Sequence, residues 1–109
     1  MAGKVSERLK PHAALDLDPL IHERARLAIL SALGSQGELS FTELKALTGT
    51  TDGNLSAHTA KLEQAGYIEA AKGMLGGRSK TTYTITVAGC HALFAYLEAL
   101  EKLVGEVKG

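Results

Sequence analysis

Across residues 40–80 the spacing of apolar positions switches from a helical to a strand-like period, and polar or glycine residues punctuate each switch. Phe41, Leu44 and Leu47 recur at three-residue spacing, which predicts a short helix. Ser40-Phe41-Thr42-Glu43 is a capping box that starts it: the serine hydroxyl can accept from the amide of Glu43, and the glutamate can reach back to the amide of Ser40. Thr48-Gly49 ends it. A second helix is predicted from a cap at Thr50 or Thr51 to the next glycine, Gly66. Leu55 and Leu62, one heptad apart, turn inward, with Ala65 completing the stripe and Thr59 a weak member of it. Residues 67–72 and 81–86 then read as strands, the second alternating Thr with aromatic and β-branched side chains. Gly73 to Lys80 lies between them and reads as a long, flexible hairpin tip.

Upstream, Asp18-Pro19 looks like an N-cap followed by proline at the first helical position, opening a helix that Gly34 ends. Leu20, Ile21, Leu27, Ala28, Ile29, Leu30 and Leu33 cover most of its circumference, which predicts the central buried helix. Glu38-Leu39 supplies a minimal strand. Residues 1–17 are sparse in apolar side chains and read as an N-terminal arm or short helix. Downstream, VAGCHALFAYLEALEKLVGEV predicts a long helix with two apolar stripes, one of Cys90, Leu93, Phe94, Leu97, Leu100 and Val104, the other of Ala92, Tyr96, Ala99 and Leu103. A domain of this size covers one stripe and leaves the other in water. The expected partner is a second copy, joined through Leu93, Phe94, Tyr96, Leu97, Leu100, Leu103 and Val104.

The second helix of the 40–80 region carries the candidate chemistry. Its outward face comprises Asp52, Asn54, Ser56, Ala57, Ala60 and Lys61, hydrogen-bonding and small residues in place of the dense Lys and Glu of an ordinary solvated helix. Small side chains let a helix sink into the major groove, where Asn and Ser can meet base edges or phosphates. A plain polar surface helix shares part of this pattern, so the neighbouring hairpin matters. Its tip holds Arg78, Ser79 and Lys80, suited to phosphates or a minor groove. A nucleotide-binding loop is not expected there, because Lys80 leads into a strand and opens no helix.

The run FTELKALTGTTDGNLSAHTAKLEQAGYIEAAKGMLGGRSKTTYTITVAG resembles the winged helix-turn-helix domain of bacterial and archaeal transcriptional regulators, near the MarR and ArsR groups. The resemblance extends over about residues 17–103, and its most specific parts are LSAHTAKLEQAGYI and TTYTITVAG. It implies a mainly α fold with a small β-hairpin wing, an α+β winged helix-turn-helix with an additional C-terminal dimerisation helix. The expected division is residues 1–17 as arm, 18–86 as DNA-binding domain and 87–109 as dimer helix. The helix with the Leu-Ser-x-His segment is the recognition helix of such regulators, which implies that Asn54, Ser56, Ala57 and Lys61 approach DNA; Thr51 and Asp52 at the start of that helix and Arg78, Ser79 and Lys80 on the wing complete the candidate contacts. The position of Thr59 is usually leucine in the family. With the dimer expected from the C-terminal stripe, the reading is a homodimer on double-stranded DNA at a pseudo-palindromic operator; the resemblance implies repression, and no cofactor signature is present.

Composition refines this picture. The 109 residues, 45% of them hydrophobic, suit one core. Twelve Lys and Arg balance twelve Asp and Glu, which argues against strong non-specific nucleic-acid binding and keeps open a winged-helix protein-interaction module. The balance hides an asymmetry: Lys72, Arg78 and Lys80 crowd the wing, whereas Glu98, Glu101 and Glu106 lie near the C-terminus. The single cysteine, Cys90, excludes an internal disulfide and fits a reducing compartment. Cys90-His91 raises an ArsR-type metal- or redox-responsive repressor as an alternative, but adjacent helical residues point about 100° apart, and His12, His22, His58 and His91 show no ligand spacing. No metal site is therefore expected. Ser56 and His58 share a helix without an orienting acid, and no catalytic constellation is present. No stretch approaches a membrane span or an export signal, so the expected location is the cytoplasm.

Overall fold

The computed structural model of the chain describes residues 10–109. Four helices and three strands follow in the order α1 (Arg24–Gln36), β1 (Leu39–Ser40), α2 (Phe41–Thr48), α3 (Asp52–Gln64), β2 (Ile68–Leu75), β3 (Arg78–Ile85) and α4 (Val87–Lys108), preceded by a single 3-10 turn, Ala13–Asp16. The sheet is antiparallel, with β3 between β1 and β2. Of the expected arm, residues 1–9 lie outside the described residues, and the 3-10 turn packs on α4 with Leu17 buried beneath it.

Helix α1 is central, in contact with α2, α3, β3 and α4. Its ends differ from the expectation. Asp18-Pro19 opens a turn instead: Asp18 accepts from the amide of Leu20 at 2.9 Å, and its carbonyl accepts from Ile21 and His22. The chain is then extended at Glu23, whose carboxylate caps α1 by accepting from the amides of Ala25 and Arg26. A glutamate long enough to fold back does the work assigned to Asp18, five residues later. At the other end the helix runs through Gly34, which faces Leu93 of α4, and stops at Gly37. Ile21 belongs to the core but sits in the turn ahead of the helix.

The signals of α2 are realised as read. Ser40 accepts from the Glu43 amide at 3.1 Å, Glu43 accepts from the Ser40 amide at 3.0 Å, and Gly49 adopts the left-handed conformation. Leu44 is fully buried, but Leu47 is half exposed, since three-residue steps drift around a helix of 3.6 residues per turn. Helix α3 is capped by Thr51 and turns Leu55, Thr59 and Leu62 inward. Ala65, expected on that stripe, is exposed at the C-cap: at 100° per residue it lies about 80° round the helix from Leu55, off the buried stripe. Ile21, Ile29, Leu30, Leu33, Leu44, Leu55 and Leu62 form the innermost core.

The wing is the largest departure. No flexible eight-residue tip exists: β2 and β3 pair without interruption from Ile68↔Ile85 to Leu75↔Arg78, and only Gly76-Gly77 turn. Both glycines have positive φ, 58° and 79°. A type I′ turn requires that at both central positions, and its twist matches the flanking strands.

Candidate nucleic-acid interface

Recognition-type chemistry needs a helix held from behind and free in front. Leu55 and Leu62 fix α3 from behind, and Thr59 joins them fully inside. The hydroxyl that distinguishes Thr59 from leucine donates to the Ser56 carbonyl one turn back, at 3.1 Å. The buried polar group is thereby satisfied and the position packs as an apolar one would. In front, Asp52, Asn54, Ser56, Ala57, Ala60 and Lys61 are all exposed. Gly53, Ala57 and Ala60 lie near the point opposite the core, flanked by Asn54 and Lys61 on one side and Ser56 on the other. Thr51 accepts from the Asn54 amide at 3.2 Å, so its oxygen is engaged as a cap. Asp52 is paired with Lys45 of α2 at 2.7 Å.

A polar cluster steadies the other flank. Arg26 donates to the Leu20 carbonyl and lies 3.2 Å from Nδ1 of His58, while a Glu23 oxygen is 3.6 Å from the same nitrogen. Burial by itself would raise the Glu23 carboxyl, but donation from the amides of Arg26 and Ala25, with His58 nearby, holds it below the usual carboxylate value. His58 therefore joins α3 to the start of α1, a positioning contact and not part of the outward face. A groove of about 470 Å³ runs between these elements, with Asn54 and His58 on one wall and Arg24 and Leu47 on another.

The wing stands beside the same surface. Residues 69–80 are exposed throughout, and no acidic residue occurs between Glu69 and Glu98. Strand alternation sets Arg78 and Lys80 on one face of β3 and Ser79 on the other, so the three expected wing residues are divided between faces. A groove of about 460 Å³ between the wing and the start of α2 is lined by Leu75, Arg78, Ser79 and Lys80 on one side and by Ser40, Phe41 and Thr42 on the other. Two acids lie near the wing, Glu38, which lines a groove with Lys72 and Lys80, and Glu43. The Glu43 carboxyl is held low first by the Ser40 amide and then by the Ser40 hydroxyl, with Lys80 adding to the effect.

A compact junction sets the wing against the helices. Thr86 caps α4 by accepting from the Gly89 amide at 3.0 Å, donates its hydroxyl to the Gly66 carbonyl at 2.6 Å, and donates its amide to the Tyr67 carbonyl at 3.0 Å. Gly89 lies so close that a Cβ built there would be 2.1 Å from the Tyr67 carbonyl oxygen. The end of α3, the base of both long strands and the start of α4 thus meet in one place.

Helix α4 sorts its stripes differently from the expectation. Leu93 and Tyr96, expected at a dimer contact, are buried in the chain's own core, where Tyr96 meets Nδ1 of His22 at 2.6 Å. Leu100 and Leu103 are half buried against the same core. Phe94, 64% exposed, with Leu97 and Val104, forms the uncovered stripe, and Val87 extends it toward the wing. Cys90 is a half-buried free thiol, and among the described residues no three His, Cys, Asp or Glu side chains converge as metal ligands. None of the described helices is long and apolar enough to cross a membrane. Sequence reading missed Lys45, Glu23, Arg26 and the Thr86–Gly89 junction. Thr86 directly ahead of the apolar helix was a visible cap signal, whereas the other contacts join elements far apart in the chain.

Comparison with known proteins gives this surface a context. Residues 25–104 match the family model of a winged helix DNA-binding domain. An uncharacterised protein of Methanocaldococcus jannaschii is 37% identical over 78 residues, spanning 72% of this chain and 85% of its own length. A transcriptional regulator homologue from Pyrococcus horikoshii OT3 superposes with a TM-score of 0.71 at 23% identity, covering 96% of this chain and 97% of its own. Bacillus subtilis PadR, solved in complex with operator DNA, reaches a TM-score of 0.60 at 25% identity, over 66% of this chain and 46% of its own. Regulators of the MarR and ArsR groups share the fold.

Proposed function

The chain belongs to the winged helix DNA-binding domain family, and from that premise we propose that it is a homodimeric transcriptional regulator that binds a pseudo-palindromic operator. The carrying observation is the outward face of α3: Asn54, Ser56 and Lys61 around a strip of small residues, held from behind by Leu55, Thr59 and Leu62. Helix α3 enters the major groove, where Asn54 and Ser56 reach base edges and Lys61 reaches phosphate. Asp52 would approach the same polyanion as a repulsive charge. Its pairing with Lys45 neutralises it, and Lys45 is itself placed to turn to a phosphate.

The wing supplies the sequence-independent part, with Arg78 and Lys80 on the flanking backbone. The second copy joins through the uncovered stripe of α4, Phe94, Leu97 and Val104, with Leu100 and Leu103 at its margin. Residues 18–86 then form the DNA-binding unit and 87–109 the dimer helix. A twofold dimer presents two α3 helices to half-sites roughly one helical turn, ~34 Å, apart. Occupying such a site blocks polymerase, so the expected action is repression. The zero net charge favours one competing reading, a winged helix that docks on protein.

Replacing both Arg78 and Lys80 with alanine separates the two. A DNA-binding wing predicts weaker binding to all duplexes and a salt slope flatter by about 0.9 for each lost phosphate contact. An unchanged slope would favour the protein-docking module.

A further inference from the structure

The outer wing carries two side chains that phosphate contact does not use. Met74 is 70% exposed and Leu75 65%. Scattered apolar residues on a surface are ordinary, but these two are consecutive, at the end of a projecting ribbon, with Lys72, Arg78 and Lys80 around them. The register places Leu75 opposite Arg78 and Met74 opposite Ser79, so each face of the tip presents one large apolar side chain.

The dimensions of the ribbon matter. β1 pairs with β3 only at Thr82 and Tyr83, so the pairs from Lys72↔Thr81 to Leu75↔Arg78 extend beyond the third strand. At about 3.4 Å per residue they project roughly 10 Å. The minor groove of B-DNA is about 7.5 Å deep and about 6 Å wide. The ribbon is long enough to reach its floor but too wide to enter it undistorted, since the strands alone are about 4.8 Å apart before side chains are added. Entry requires a widened groove, which apolar wedges produce by unstacking a base step and bending the duplex by about 20–90°.

We propose that the wing tip is an apolar wedge for the minor groove of double-stranded DNA, with Met74 and Leu75 against sugars and base steps while Arg78 and Lys80 on the Leu75 face and Lys72 on the Met74 face hold the phosphates on either side. The proposal rests on the DNA-binding reading above. A polyanion is the fitting occupant because Lys72, Arg78 and Lys80 outnumber the one acid, Glu38, that lines the grooves they share with the two apolar side chains. A step that unstacks easily, such as TA or CA, is then favoured at the position the tip reaches.

The test uses an operator duplex recovered by selection with the wild-type protein, labelled at both ends for energy transfer. Wild-type protein is expected to shorten the end-to-end distance by a bend of about 20° or more. The double variant Met74→Ser, Leu75→Ser alters only exposed side chains, and a thermal melt checks that it folds. It is expected to bind about tenfold more weakly, to leave the duplex straight, and to keep the wild-type salt slope, since its cations are intact. A duplex that stays straight with wild-type protein overturns the proposal. So does a double variant that bends as the wild type does, or one whose only change is loss of self-association, which would make the tip a protein contact. A selection that recovers no duplex overturns the DNA-binding reading as well, before any variant is compared.

Discussion

Helices α3 and α4 each bury one face in the same core and leave the other to water, yet they leave opposite things there. The free face of α3 is polar and small, whereas that of α4 carries Phe94, Leu97 and Val104. A polar face on a firmly packed helix costs nothing in water and gains only when a hydrogen-bonding partner arrives, as nucleic acid does. An exposed apolar stripe is unfavourable in water at about 25 cal/mol per Å², so it gains from any matching apolar surface, and another copy of itself is always available. One domain therefore displays two kinds of incompleteness, and the Thr86–Gly89 junction fixes the angle between them.

Breaking that junction should have the largest effect. Gly89→Ala sets a methyl against the Tyr67 carbonyl, which is backbone and cannot rotate away. The expected loss is about 3 kcal/mol of stability, the upper part of the range for overpacking. Denaturant unfolding measures it, and a loss below about 0.5 kcal/mol would show that the junction is loose. Next comes the apolar stripe. Phe94→Asp with Leu97→Asp should leave the fold intact and weaken self-association about a hundredfold, roughly 3 kcal/mol. Sedimentation over a concentration series reads this directly, and a wild-type protein that is monomeric at micromolar concentration would remove the dimer.

Smaller effects sharpen the polar side. Asn54→Ala should change sequence preference at one position per half-site by about 1–3 kcal/mol while leaving stability nearly unchanged. A uniform loss across sequences would instead make Asn54 a phosphate contact. The smallest expected effect lies at Tyr67, whose hydroxyl donates to Asp18 at 2.7 Å. That bond, with partial burial, raises the phenol above its usual value. A raised value means that the contribution to stability is complete below the unfolded value, about pH 10, and is lost as pH rises through the folded one. Tyr67→Phe should cost about 1 kcal/mol at neutral pH, and the gap from wild type should close in alkali. A gap that stays constant above about pH 10 would show that the bond is not what holds Tyr67.

Local chemistry made most of this fold legible before any coordinates. The capping box at Ser40 and Glu43, the stops at Gly49 and Gly66, and the inward pair Leu55 and Leu62 all depend on neighbours within two helical turns. Where the reading went wrong, a second local solution was available. Asp18-Pro19 fits a turn as well as a helix start, and Gly34 is tolerated inside a helix that packs on Leu93. Eight glycine-rich residues suggested a loop, although two glycines with positive φ make the tightest hairpin and free the other six to pair. On α4 the helical period showed two stripes but not which one the domain would cover. That depended on α1 and on the 13–16 turn, both distant in sequence. The outward residues of α3 were legible because they follow from the inward ones, whereas Lys45, Glu23 and Arg26 meet α3 only through tertiary packing.

Selection of bound duplexes from a random pool, at about physiological salt, tests the central claim most directly. The account predicts enrichment of a twofold-symmetric site whose half-sites lie about one helical turn apart. Recovery of nothing, from protein shown to be folded and dimeric, would contradict it.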